Sequence, residues 1–285
     1  MFYRARYLFS PVDELFAIGS RWLRVQARPA NAGNTRDVAS SILPPTPFIT
    51  FIPTLHVASI EFYDAALNYM KEAVERCENV VILLEGVCDN KEGRRQQMEE
   101  YIQISQSAEL RTAMLEKANN NTLYSEDVIR TICDELAVKY DALRREWESI
   151  RLQECYLRPK MAALMGGNLC NDADIDMEEV EALMLEGGDD EATTGSVVSI
   201  ASIGAHPKVR RRREVKVARK TRSICADWLK RSVKGEVILP WGFYHIDSIR
   251  REVLSMDAED EEVVFSEDDG VLRCVPFGIH KELLV

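Results

Sequence analysis

Three residues that could bind a metal ion or move a proton each follow a hydrophobic run in this chain. They are His56 after residues 48–55, Glu85 after residues 80–84, and His245 after residues 237–244. Short apolar runs are typical of buried strands in an α/β sheet. Such sheets bind ligands just outside the carboxyl ends of their parallel strands. The pattern therefore predicts that two imidazoles and one carboxylate converge at one edge of a sheet.

Two imidazoles and one carboxylate form a ligand set that metallohydrolases use to hold a divalent ion. The ion lowers the pKa of a bound water and polarises a carbonyl group. The same set holds ferrous iron in some oxygenases, although a β-α-β context counts against that reading. Spacing alone favours a simpler alternative, in which His56 and His245 are hydrogen-bonded core residues and Glu85 caps a helix.

A helical pattern links the first two hydrophobic runs. Ser59 is a suitable N-cap for this helix. The apolar positions that follow recur at steps of three and four residues, at Ile60, Tyr63, Leu67, Met70 and Val74. Strand, helix and strand in succession form a β-α-β unit, which implies parallel pairing of the two strands.

The remaining elements complete an α/β fold with a central mixed sheet, parallel β-α-β units and flanking helices. Residues 91–168 form a helical insertion that could cover the strand ends as a lid or a partner surface. A helix over residues 247–256 and a strand near residues 263–265 follow the last hydrophobic run. We expect one domain over residues 45–285.

Charge is distributed unevenly along the chain, whose net charge is −11. Residues 171–214 pass from acidic to basic with little apolar periodicity, which predicts a disordered charged insertion in which residues 178–185 could form a short helix. Its basic run could bind a protein partner, a nucleic acid or an anionic membrane surface. The alternative is a solvated loop that pairs with its acidic neighbour. The run consists of Arg210, Arg211, Arg212 and Arg213.

The N-terminal residues 1–44 are rich in arginine and contain no lysine among the first forty. Such a composition is typical of a mitochondrial transit peptide, and a cytoplasmic location is the alternative. The segment could also be a folded amphipathic helix, with Ser10 as its N-cap and Trp22 and Leu23 on its apolar face. No apolar run reaches the roughly 18 residues of a transmembrane segment. The seven widely spaced cysteines are typical of free thiols in a reducing compartment.

Three motifs in order resemble those of the TraB/PrgY/GumN family, which includes the Tiki proteases. The segment 53–57, Pro-Thr-Leu-His-Val, is similar to the family's G-T-x-H-V motif. The segment 81–85 is similar to its second strand, which ends on a functional glutamate. The segment 241–245 looks like its second G-x-x-H motif. The resemblance covers about residues 48–92 and 215–265.

The resemblance implies a central sheet flanked by helices. In the Tiki branch it implies metal-dependent hydrolysis of peptides by the positions of His56, Glu85 and His245. A basic residue upstream of the second motif is also typical of the family. Arg222 lies at about the right place, with Arg219 as the alternative, and would hold a substrate carboxylate by a bidentate contact. The alternative to this substrate-binding role is that Arg222 is simply an exposed residue of a helix.

The chain departs from the family pattern at three points. Pro53 stands where the family has glycine, and proline removes a backbone N–H. Phe243 and Tyr244 stand where small residues are common, and the charged insertion is additional. Two functions therefore remain open. The chain is either a metal-dependent peptide hydrolase or a non-catalytic interaction or assembly protein that acts through its helical block and charged insertion.

Overall fold

The protein is described here by a computed structural model, which covers residues 19–30, 46–185, 206–255 and 263–284. The strands are β1 (Ser20–Pro29), β2 (Phe48–Thr54), β3 (Val57–Ser59), β4 (Asn79–Leu83), β5 (Ile150–Leu152), β6 (Leu169–Cys170), β7 (Gly235–Gly242) and β8 (Val263–Val275). The helices are α1 (Ile60–Arg76), α2 (Lys91–Gln106), α3 (Ala108–Asn119), α4 (Glu126–Glu135), α5 (Tyr140–Arg145), α6 (Leu157–Met165), α7 (Met177–Leu185), α8 (Pro207–Lys230) and α9 (Phe243–Ser255).

A mixed sheet lies at the centre of the described chain. Its strand order is β6-β4-β7-β2-β1-β8. The pairs β6–β4, β4–β7 and β7–β2 are parallel, whereas β1 is antiparallel to both β2 and β8. Since β7 lies between β2 and β4, α1 connects two parallel strands that are not neighbours. The predicted α/β class and its parallel β-α-β unit are confirmed.

Side chains that alternate along the parallel strands belong to two different hydrophobic clusters. In β7, Ile238 belongs to the cluster that contains the buried face of α1. Its neighbours Val237 and Leu239 belong to the cluster that contains residues of α8 and α9. Successive strand residues point to opposite faces of a sheet, so the sheet is covered by helices on both sides.

Helix α1 forms as its sequence pattern predicts. The Ser59 hydroxyl accepts a hydrogen bond from the Phe62 N–H at 3.2 Å and so satisfies one of the unpaired donors of the first turn. Tyr63, Leu67 and Met70 are buried along one stripe. The helix ends at Arg76, and β4 starts three residues later. This short connection leads directly into β4, which pairs with β7.

The block 91–168 is helical but not continuous. Helices α2 to α6 are interrupted by β5, which pairs with β3 in a separate two-stranded sheet. Strand β5 could not be predicted from the sequence, because its three residues are too few to show a period. Pro159 lies in the first turn of α6, where its missing N–H needs no partner. Helix α6 ends at Met165, before Gly166.

The expected N-terminal helix is wrong for its last residues. Trp22 and Leu23 lie in β1, which pairs with β2 and β8. The domain boundary at residue 45 is therefore also wrong, since residues 20–29 belong to the sheet. Trp22 is fully buried, so its apolar surface drives the strand into the core. Residues 1–18, which hold the predicted N-cap and the start of the predicted transit peptide, lie outside the described residues.

The prediction of disorder within residues 171–214 is wrong for residues 207–214, which form the start of α8. Residues 177–185 form α7, which agrees with the short helix expected over residues 178–185. Acidic and basic residues of this stretch pair with each other, as Arg213 and Asp174 do at 2.7 Å, so the charges are neutralised in a packed structure. Val209 on α8 is fully buried against Ile175 and Val180. Residues 186–205 lie outside the described part.

Two further expectations concern membranes and thiols. Within the described chain, no helix is both long and apolar enough to cross a bilayer. All seven cysteines are free thiols, as predicted. Cys77, Cys133, Cys155 and Cys225 are buried, where they act as small apolar side chains.

A buried carboxylate joins the sheet to α1 at the amino edge of the parallel strands. Glu236 in β7 is fully buried. It accepts hydrogen bonds from the Thr50 hydroxyl at 2.7 Å, the Tyr69 hydroxyl at 2.6 Å and Arg76 Nη2 at 2.7 Å. These bonds tie β2, β7 and α1 to one side chain. The network is specific because each of its buried polar groups has a partner.

Replacing Glu236 should destabilise the fold. In Glu236→Ala, the hydroxyls of Thr50 and Tyr69 lose a buried partner, and we expect a loss of about 2 to 4 kcal/mol in the free energy of unfolding. Urea unfolding measures this loss. Asp227→Ala, which removes an exposed ion pair with Arg231, serves as the control and should change the free energy by less than about 0.5 kcal/mol. Equal losses in the two variants would contradict the proposed role of Glu236.

Candidate functional site

Glu85 lies at the carboxyl edge of the parallel strands, two residues beyond the end of β4. Its side chain is buried. Oε2 accepts a hydrogen bond from the Gly242 N–H at 2.5 Å, where β7 ends. A Cβ atom at position 242 would lie 3.1 Å from the same oxygen. Any larger residue at position 242 would therefore have to displace the carboxylate by a few tenths of an ångström, so glycine favours this close approach of β7.

His245 lies in the first turn of α9. Only part of the hydrophobic run before it forms a strand, which is shorter than predicted. Strand β7 ends at Gly242, and the chain turns directly into the helix. The His245 Nδ1 atom is 2.9 Å from Oε1 of Glu214 on α8. Its Nε2 atom is 3.6 Å from Oε1 of Glu85. The structure thus brings Glu85 and His245 together, as the sequence predicts.

His56 occupies the short turn between β2 and β3. About half of its side chain is exposed, and its Nδ1 atom is 3.3 Å from Oε1 of Glu154. Partial burial lowers the pKa of His56, but the hydrogen bond and charge of Glu154 outweigh that effect, so the pKa is raised above 6.5. The charge of Glu85 also raises it. His56 therefore lies on the same side of the sheet as Glu85.

The two histidines share one arrangement. Each Nδ1 atom faces a glutamate, Glu154 for His56 and Glu214 for His245. A carboxylate at Nδ1 fixes the tautomer and the orientation of an imidazole and presents its Nε2 atom for a metal ion or a proton. However, no group of three His, Cys, Asp or Glu side chains in the described residues is close enough together to hold a metal ion. The side chains of Glu85 and His245 approach each other to 3.6 Å, whereas His56 lies further from this pair.

Arg213 is the buried cation of this site. Its Nε and Nη2 atoms donate to Oδ1 and Oδ2 of Asp174 at 2.9 and 2.7 Å, and Nη2 also donates to Oε1 of Glu85 at 3.2 Å. Burial raises the pKa of Glu85, but the charge of Arg213, with smaller contributions from His245 and His56, lowers it below 4.5. Arg213 therefore keeps the Glu85 carboxylate ionised although it is buried.

Asp174 extends the cluster to the loop after β4. Its Oδ2 atom accepts a hydrogen bond from the Gly86 N–H at 2.9 Å, and Oδ1 accepts one from the Ile175 N–H at 2.8 Å. The carboxylate thus links Arg213 to the backbone next to Glu85. A carboxylate with several N–H donors and a bidentate guanidinium is well compensated for its burial.

The predicted substrate-binding residue Arg222 lies elsewhere. Its Nη1 atom donates to the Val253 carbonyl at 2.5 Å, and its guanidinium lies over the Phe265 ring. Arg222 follows Arg213 by nine residues on the same helix, which is about two and a half turns and places it on the opposite face. The alternative, Arg219, is exposed. Neither residue contacts Glu85, and Arg213 occupies that position instead.

The four arginines of the basic run have separate partners. Arg210 Nε donates to Oε1 of Glu214 at 2.8 Å, so it supports the carboxylate that orients His245. Arg213 lies in the site. Arg211 pairs with Glu252, and Arg212 lies 3.8 Å from Glu179. Arg211 and Arg212 remain about half exposed, so only these two could take part in the predicted partner surface.

Sequence reasoning missed four members of the site: Asp174, Arg213, Glu214 and Glu154. A signal existed for two of them. Arg213 and Glu214 precede the buried residues Val217 and Ala218 by one helical turn and so lie on the same face of α8. Asp174 and Glu154 lie in irregular segments that have no period, and nothing in the sequence distinguishes them from solvated acids.

Pro53, the most conspicuous departure from the motif, is compatible with the sheet. It lies in β2 opposite Trp241 of β7, and its carbonyl accepts a hydrogen bond from the Ser20 hydroxyl at 2.6 Å. The proline therefore shapes the end of β2 without contacting Glu85.

Comparison with known proteins gives no match: the chain matches no protein-family model, no curated protein and no solved structure. The resemblance to the TraB/PrgY/GumN family stays a prediction that depends on the three motifs.

Removing Arg213 should destabilise the protein in a pH-dependent way. In Arg213→Met, Glu85 and Asp174 lose their buried counter-charge, and we expect a loss of about 3 to 5 kcal/mol in the free energy of unfolding at about pH 7. The lowered pKa of Glu85 contributes stability to the wild type above 4.5, and this contribution is lost as the pH falls through the lowered value. The difference between wild type and variant should therefore shrink at about pH 4.

Arg222→Met is the matched control, because it lies on the same helix but on the opposite face. It should cost only about 1 kcal/mol, with little change between the two pH values. Urea unfolding at both pH values measures the four differences. A pH-independent loss in Arg213→Met would contradict the assigned contact with Glu85.

Proposed function

We propose that this protein is a hydrolase of peptides and that its reaction takes place beside Glu85 and His245. The proposal includes a divalent metal ion held by Glu85 and His245, with His56 as a third ligand that must move closer, since the three side chains are not grouped tightly enough as they stand. The observation that supports it is the approach of His245 Nε2 to Oε1 of Glu85, 3.6 Å apart at the carboxyl edge of the sheet. Edges of this kind are where α/β folds bind their ligands.

The spacing of the two side chains fits a shared ion. A distance of 3.6 Å is long for a hydrogen bond. Two ligands about 2.1 Å from one ion in tetrahedral geometry are about 3.4 Å apart. Glu85 is ionised, and the contact of Glu214 with Nδ1 fixes the orientation of the His245 imidazole, whose Nε2 atom lies beside Glu85. When bound, the ion would activate a water molecule and polarise the scissile carbonyl.

Other residues of the chain keep these groups in position. Glu214 holds the His245 imidazole, and Arg210 in turn holds Glu214. Arg213 and the Gly242 N–H hold the two oxygens of Glu85. The Glu154 carboxylate holds His56, and its Oε2 atom is buried without a hydrogen-bond partner among the described residues. The site thus has a supported pair and a third side chain at its rim.

Metal content is the direct test of this proposal. The purified full-length chain, loaded with zinc, manganese or cobalt and then desalted, should retain about one ion per chain by elemental analysis. Glu85→Gln and His245→Ala should each reduce retention at least about tenfold, and His56→Ala should reduce it less, because His56 lies further out. Peptide hydrolysis should fall in parallel.

His280→Ala is the control, since His280 is an exposed histidine of the C-terminal segment and is not one of the proposed ligands. It should retain the metal and the activity of the wild type. Retention that all three site variants leave unchanged would refute the assigned ligands. Hydrolysis that persists in Glu85→Gln would refute the assigned role of that carboxylate.

A further inference from the structure

A second arginine, Arg158 of α6, reaches the site from the helical block. Its Nη2 atom donates to the main-chain carbonyl of Glu85 at 2.6 Å. Its Nη1 atom lies beside Gly86, where an added Cβ would be only 3.2 Å away. Gly86 has a φ angle of +152°, which favours glycine. The loop after β4 is therefore shaped to admit the guanidinium.

Arg158 differs from Arg213 and Arg94 in its partners. Arg213 is paired with Asp174 and Glu85, and Arg94 lies 3.5 Å from Asp176. Within the described chain, Arg158 has no carboxylate in ion-pair contact, and its one side-chain hydrogen bond is to the Glu85 carbonyl. A guanidinium has five N–H donors. Most of the donors of Arg158 are therefore uncommitted among the described residues.

These uncommitted donors are accessible. Unpaired nitrogens of Arg94 and Arg151 are enclosed by protein, but those of Arg158 are not among the enclosed ones, and its side chain is partly exposed. A charged group without an ion pair next to an open site is available to a ligand. The hydrogen bond to Glu85 holds the guanidinium in one orientation before a ligand arrives, which reduces the entropy lost on binding.

Arg158 also lies beside the proposed reacting groups. Burial raises the pKa of Glu154, but the hydrogen bond with His56 and the charge of Arg158 lower it. The charge of Arg158 also acts on His56. The guanidinium is therefore bonded to the backbone of Glu85, and its charge acts on both members of the His56–Glu154 pair.

We propose that Arg158 binds a carboxylate of the substrate and that the protein is selective for peptides that carry one near the bond to be cleaved. This inference deepens the proposed function and depends on it, because it presumes that a substrate binds at the site. A guanidinium matches a carboxylate through two parallel N–H donors, which gives both affinity and orientation. Two sources of the carboxylate share this chemistry: the C-terminus of the peptide and an acidic side chain.

Binding experiments can separate this inference from the proposed chemistry. The probes are mixtures of N-acetylated tetrapeptides with randomised uncharged residues, prepared as C-terminal acids and as C-terminal amides. A third mixture is amidated and carries one fixed internal glutamate, and a fourth carries glutamine instead. Affinity is measured by calorimetry on the full-length chain in the Glu85→Gln background. That change leaves the Glu85 carbonyl, and thus the contact with Arg158, in place.

We expect one carboxylate-bearing mixture to bind about 10- to 100-fold more tightly than its neutral counterpart. A preference for the acid over the amide identifies the C-terminus, and a preference for glutamate over glutamine identifies a side chain. Arg158→Gln should abolish the preference, and Arg158→Lys should retain part of it, because the charge remains but the paired donors do not.

Lys160→Gln is the matched control, since it removes a cation from the same helix and lies 3.8 Å from Asp64 instead. It should keep the full preference. Thermal unfolding verifies that each variant is folded, and Arg158→Lys replaces Arg158→Gln if the latter is not. Equal binding of charged and neutral peptides, no binding of any mixture, or a preference that survives Arg158→Gln would overturn the proposal.

The two proposals fail in different ways. Peptide hydrolysis without carboxylate preference leaves the proposed hydrolase in place and removes the role of Arg158. Carboxylate-selective binding without hydrolysis or metal retention leaves the role of Arg158 in place and removes the hydrolase.

Discussion

The buried contact of Arg213 with Glu85 and Asp174 is the constraint on which the candidate site depends. It joins α8, the loop after β4 and the segment before α7, three parts of the chain that are far apart in sequence. A buried carboxylate is costly without a counter-charge, and here two carboxylates share one guanidinium. The same contact holds Glu85 next to the end of β7 and His245. The contacts that pack the charged segments therefore also position the residues of the candidate site.

The sheet has a buried carboxylate at each of its two edges, and the two have different surroundings. At the amino edge, Glu236 is enclosed by hydroxyls and one arginine, and every contact is within the protein. At the carboxyl edge, Glu85 faces a histidine across 3.6 Å and lies near a partly exposed histidine and arginine. A fully satisfied network stabilises a fold, whereas incompletely satisfied polar groups at an edge are available for a ligand. This contrast favours the carboxyl edge as the functional one.

Much of the fold was predictable because it depends on local pattern. Apolar runs defined β2, β4 and β7, and the spacing of Tyr63, Leu67 and Met70 defined α1. The pairing of Glu85 with His245 followed from the rule that parallel strands end at one edge. Charge composition gave a wrong prediction of disorder for residues 206–214. The charged side chains there do not all remain in solvent, because unlike charges neutralise each other in α8 and its neighbours. Trp22 also gave a wrong prediction, since a helical spacing was assigned to a buried strand.

The sequence by itself determined the class of fold, the order of its central elements and two residues of the site. These follow from periods of two and 3.6 residues and from turn chemistry, which act over short distances along the chain. Only the tertiary structure decided which arginine accompanies Glu85 and which carboxylate orients each histidine. Arg213 and Arg222 are equivalent in type and lie on one helix, and only the packing of α8 determines which face meets the site. The local pattern indicates the buried face of α8, but contacts between distant segments determine which residue of that face meets Glu85.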